Sequence, residues 1–123
     1  MRRWLLSVHV TAALVGLLAG RVEAQETAAA DIVRNPNAYS NRMVTVRGTM
    51  MNLRPDTTLG PTRATGVVFD LAAGPAFLVV RSIVPPPCPV GSPVTIDGRF
   101  LPMATIHQQL YPNVIEATFV RCG

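Results

Sequence analysis

Few residues in this chain are suited to chemistry, and most of them lie near its C-terminal end. In HQQLYPNVIEATFVRCG, His107 and Tyr111 form an H-x-x-x-Y spacing and Cys122 follows. Imidazole, phenolate and thiolate are ligands for haem iron and transition metals. On the other reading, a lone histidine with no second histidine, cysteine or carboxylate beside it is a solvated loop residue, with Tyr111 packed on Pro112. Met50, Met51 and Met103 offer thioethers suited to Cu(I). Adjacent strand residues point to opposite faces, however, so Met50 and Met51 cannot share one site, and core filling is the expectation. We therefore expect no cofactor and no metal.

Catalysis needs reactive groups that converge. The chain has no lysine, and beyond residue 24 it holds one histidine, two cysteines and six scattered acids. No Ser-His-Asp or Cys-His arrangement emerges from that set. Gly60, Gly66 and Gly74 are isolated, and no Gly-Lys-Ser follows them, so a phosphate-cradling loop is not indicated. The expectation is a protein that is not an enzyme.

The N-terminal stretch MRRWLLSVHVTAALVGLLAGRVEAQE opens with two arginines, followed by an apolar run and a small-x-small site at Val22-Glu23-Ala24. That is the plan of a cleaved secretory signal over 1–24. The alternative is an uncleaved anchor, but the run is shorter than the roughly 20 apolar residues a span needs. Export would place Cys88 and Cys122 in an oxidising periplasmic or extracellular compartment. A small domain there is normally bridged, and the chain-entropy model gives about 3 to 4 kcal/mol for a loop of this length. Without Arg2, Arg3, Arg21 and Glu23, eight arginines face six acids. A pI of about 10.0 therefore overstates the pull on anionic partners.

The elements that must position these residues can be read from periodicity. A short helix is expected over about 28–34, ended by Asn35-Pro36. MVTVRGTMM alternates as a half-buried strand from Met43. After the loop RPDTTLGPTRA, TGVVFDLAAGPAFLVVRSIV reads as a hairpin turning at Ala73-Gly74-Pro75, with Phe69 and Leu71 on one face and Val68 and Asp70 on the other. Five prolines between Pro85 and Pro93 call for a stiff, extended connector. PVTIDGRF is a fourth strand, LPMATIHQQLYPN a longer loop, and VIEATFVR a fifth strand. The layout is a signal over 1–24, a helix and lead-in over 25–42 and a barrel over 43–123.

VTVRGTM, VVFDLAAGPAFLVV and VGSPVTIDGRF together resemble the bacterial OB-fold pattern, and the lead-in NPNAYSNRMVTVRG is similar to that of exported and tRNA-anti-like OB domains. The resemblance covers about 30–122. It implies an all-β, five-stranded Greek-key barrel with a short N-terminal helix, in which the third and fifth strands run parallel and bring Cys88 to Cys122. The H-x-x-x-Y spacing also resembles the haem-attaching motif of the periplasmic haem chaperones of cytochrome c maturation. There it lies in a tail, whereas here a strand follows it.

OB barrels bind on their second and third strands and flanking loops, where aromatic rings stack on bases and arginines meet phosphates. The candidates on that face are Arg54, Arg63, Phe77, Arg81, His107 and Tyr111. The leading expectation is an exported, monomeric binding module without a membrane span, acting on a protein partner or small ligand. Single-stranded nucleic acid or oligosaccharide bound on the same face is the alternative, and haem or metal carriage by His107 and Tyr111 a further one. Arg47 and Arg99 are expected to meet Asp97 or solvent.

Overall fold

The computed structural model describes residues 25–56 and 66–123; the segment read as a secretion signal and the position of Arg63 lie outside these residues. Helix α1 spans Ala29–Arg34. Its Ala29 and Ile32 are buried in the barrel core, and Asp31 and Arg34 pair on the exposed side. A 3₁₀ turn over Pro36–Tyr39 follows and leads into the first strand.

Five strands make the barrel: β1 (Met43–Asp56), β2 (Gly66–Ala73), β3 (Ala76–Ser82), β4 (Pro93–Ile106) and β5 (Gln109–Cys122). Their order is β1-β2-β3-β5-β4, with β4 closing on β1. β3 and β5 run parallel, and every other neighbouring pair is antiparallel. This is the topology the strand and turn pattern implied.

Alternation accounts for the core. Val44, Val46 and Met50 of β1, Phe69 and Leu71 of β2, Leu78 and Val80 of β3, Val94, Ile96 and Phe100 of β4, and Ile115 of β5 point inward and form one cluster. Two glycines sit where strands cross too closely for a side chain. A Cβ on Gly48 would lie 2.7 Å from the carbonyl oxygen of Ala72, and one on Gly98 would collide with that of Glu116. These are the glycines that end the V-x-V-x-G and V-x-I-x-G patterns.

The segment read as a loop between the fourth and fifth strands is in fact a hairpin. β4 and β5 each run for 14 residues and pair as far as Ile106 with Gln109. His107 (φ 53) and Gln108 (φ 64) form the two-residue turn. Left-handed backbone at both positions is the geometry that Asn-Gly normally signals, so His-Gln concealed it. A second irregularity bends β1, where Asn52 (φ 54) lies in a bulge between Met51 and Arg54.

Cys88 and Cys122 form a disulfide, with Cα atoms 5.5 Å apart. It ties the proline-rich connector after β3 to the last residue of β5. Met50 is fully buried and Met51 exposed, as opposite faces require. Among the described residues no helix is long and apolar enough to cross a membrane. Replacing both cysteines by serine should lower stability by about 3 to 4 kcal/mol, read from urea unfolding. An unchanged urea midpoint would mean that the bridge does not constrain the unfolded chain.

Candidate functional site

The outward side of β2 and β3 carries Val68, Asp70, Ala72, Phe77, Val79 and Arg81. Its Val68 end is covered by the chain itself, while Asp70, Ala72, Val79 and Arg81 are half-buried and Phe77 is exposed. The β4–β5 hairpin turns back over this face, with Asn113 (φ 56) marking the bend in β5. Ile106 and Val68, each 1% exposed, form a second apolar cluster with Val114, against which Val79, Ala104 and Tyr111 pack. Val68 points away from the barrel core, so only the folded-back hairpin explains its burial.

Polar contacts hold the hairpin tip. His107 Nε2 lies 3.3 Å from Asp56 Oδ1, and Arg81 Nη2 donates to Asp56 Oδ2 at 3.2 Å. The end of β1 therefore joins the middle of the sheet to the hairpin turn. At the β1 bulge, Asn52 Nδ2 donates to Asp70 Oδ2 at 2.7 Å, and Arg54 lies 3.4 Å from Asp70 Oδ1 while donating to the Asn52 carbonyl at 2.7 Å. The bulge aims Arg54 along the sheet rather than into solvent.

The expected binding residues thus separate. Arg54 and Arg81 share the β2–β3 face but are paired with Asp70 and Asp56. Phe77 is 59% exposed at the far end of that face. His107 is paired with Asp56 rather than simply solvated, and Tyr111 packs into the second apolar cluster rather than only on Pro112. Arg63 lies outside the described residues. The resemblance of the His107 and Tyr111 spacing to haem chaperones gains no support, because the two residues sit on a turn and on the strand leaving it. Asp97 accepts from Thr45 at 2.7 Å and from Arg121 at 2.9 Å; of the two arginines expected to meet Asp97 or solvent, Arg99 is exposed and Arg47 pairs with Glu26 instead.

A different surface was missed. Between the connector Ile83–Pro87 and β5 residues 117–120 runs a groove of about 610 Å³. Ile83 is 77% exposed, Val84 71% and Phe119 57%. Arg121 lies over the Phe119 ring, 5.8 Å from its centre, at the edge of this patch. The groove needs two segments far apart in sequence, and only the adjacent proline run hinted at it.

No protein-family profile matches the chain, and no curated protein sequence is similar to it. Among solved structures, a chain described as an aspartyl-tRNA synthetase from Leishmania major Friedlin superposes with a TM-score of 0.54 at 10% identity. The match covers 93% of this chain and 26% of that one. This chain is an OB-type barrel. At such low identity the likeness establishes the fold alone.

Truncating the hairpin's buried contacts should loosen it selectively from the OB barrel. Ile106→Ala should cost about 2 to 3 kcal/mol through the lost packing. Asp56→Ala, which strands the part-buried Arg81 guanidinium, should cost about 1 to 3 kcal/mol. Amide hydrogen exchange should rise at residues 104–111 and remain slow in the barrel half of β4. Unaltered exchange at the tip would show that these contacts do not hold the hairpin.

Proposed function

We propose that this chain is a non-enzymatic OB-type binding module of an oxidising compartment, periplasmic or extracellular, that takes a protein partner in the groove between the connector and β5. The observation that carries this reading is the division of the surface. One end of the face OB barrels commonly use, at Val68, is covered by the chain's own hairpin and its arginines are paired with acids, while exposed apolar side chains gather in the groove. An apolar patch rimmed by polar residues is the usual mark of a contact surface. The Cys88–Cys122 bridge and the signal-like 1–24 segment support the compartment.

A second reading, single-stranded nucleic acid laid across β2 and β3, draws on the exposed Phe77 and on the fold shared with a synthetase chain. Against it stand the carboxylates. Asp70 and Asp56 neutralise Arg54 and Arg81, so this face has little charge to exchange for released counterions.

Two measurements separate the readings. A photo-crosslinking residue replacing Val84 should capture a polypeptide in extracts of the source cells, and the same group replacing Phe77 should not. Fluorescence titration with single-stranded oligonucleotides should show no binding that weakens with added salt. Capture at position 77 alone, or salt-dependent micromolar oligonucleotide binding, would overturn the protein-partner reading.

A further inference from the structure

The groove has a backbone wall as well as side-chain walls. β3 pairs with β5 only through Val79–Ser82 against Val114–Ala117. β5 then runs on to Cys122, while the chain after β3 departs at Ile83. Among the described residues no backbone ladder continues along that side of 118–122. In a strand, alternate residues direct their N–H and C=O groups to opposite neighbours. The far side of this segment is taken by β4, as far as the pairing of Val94 with Cys122. The near side is an open sheet edge facing the groove.

The connector cannot close that edge. Pro85, Pro86 and Pro87 have no N–H to donate. Ser82 Oγ donates to the Val84 carbonyl at 2.6 Å, which turns the chain out of the ladder as soon as β3 ends. The disulfide returns the connector to β5 only at Cys122. The connector is therefore an arch, anchored at Ser82 by strand pairing and at Cys88 by a covalent bond, standing over an unpaired length of strand.

We infer that the groove takes an extended, uncharged apolar peptide segment of the partner, added as a strand to the open edge of β5 beneath the arch. This rests on the protein-partner reading above and names the chemistry of its ligand. Three features select such an occupant. Unpaired main-chain groups along one strand match another extended main chain, the arrangement of β-strand addition. The lining from Ser82 to Pro87 and from Ala117 to Val120 contains no ionisable side chain, and the charged groups Arg121 and Glu116 stand only at its margins, so the body of the groove favours an uncharged segment. The open edge that lines the groove runs over 118–120, beginning at a bulge at Thr118, or roughly 10 Å at about 3.3 Å per residue.

The test uses the oxidised protein and a set of fluorescein-labelled peptides of about seven residues in which valine, isoleucine or phenylalanine alternates with threonine. Each is compared with two isomers N-methylated at alternate residues, one set at odd positions and the other at even ones. Strand addition requires that one isomer lose at least tenfold in affinity and the other bind as the parent does, since only alternate amides face the edge. Amide exchange at residues 118–120 should slow on binding. Val84→Asp, at an exposed position, should abolish binding, and Phe77→Ala should leave it unchanged. Binding blocked by Val84→Asp but indifferent to both methylation patterns would overturn strand addition and leave the groove as a partner site. Binding that responds to Phe77→Ala instead would overturn both. Absence of binding by every peptide at about millimolar concentration, or concentration-dependent self-association abolished by Val84→Asp, would also overturn the inference.

Discussion

The barrel closes through a parallel seam of four residue pairs, Val79–Ser82 against Val114–Ala117, and the shortness of this seam governs the rest of the molecule. Consecutive strands joined by hairpins pair easily because their turns hold them together. A parallel pair has no such turn, and its connection must travel the length of the barrel and return. Here the return is made by β4, reached through a proline-rich connector with no helix of its own among the described residues. The seam therefore stands on little local support. The disulfide lies beyond the last pair of the seam, Ser82 with Ala117, and joins the two chain segments that the seam releases. α1 adds to this by burying Ile32 against the same core.

Much of this architecture was legible from residue order, for a physical reason. In a barrel with one core, alternation marks every core-facing residue, so Val44 and Val46, Phe69 and Leu71, and Val94 and Ile96 announced their strands directly. The cysteine pairing was legible once the strand order was assumed, because that order brings the ends of β3 and β5 to one rim. The β4–β5 hairpin was not. Its turn places His107 and Gln108 in left-handed backbone, which is uncommon for residues other than glycine, and Pro112 and Asn113 interrupt the alternation of β5. Tertiary contacts override local preference there, through Ile106 in the second apolar cluster and His107 beside Asp56.

The candidate site was harder to read than the fold, because binding depends on what covers a side chain. Arg54, Phe77 and Arg81 lie on the outward side of the sheet and His107 and Tyr111 on the hairpin, yet sequence could not show that four of the five are used in holding the fold together. The pairing partners, Asp56 and Asp70, come from the end of β1 and the middle of β2, and the bulge at Asn52 determines which arginine reaches which acid. A bulge moves one side chain by half a pleat, enough to convert an outward cation into a partner for a neighbouring carboxylate.

The two surfaces also differ in what a ligand must displace. To lie across β2 and β3, a chain would have to part Val68 from Ile106 and take Arg81 from Asp56, exposing apolar area and leaving charges part-buried without partners. In the groove there is nothing of the kind to undo. Ile83, Val84 and Phe119 already face water, and the edge of β5 is already without a neighbouring strand among the described residues. Covering these groups removes apolar surface from water at about 25 cal/mol per Å² and exchanges hydrated backbone groups for paired ones. The connector that makes the arch is stiff and covalently anchored, so little conformational entropy remains to be lost on binding. The same proline run that keeps β3 from extending its ladder thus preserves, in the folded state, a stretch of strand edge open to another chain.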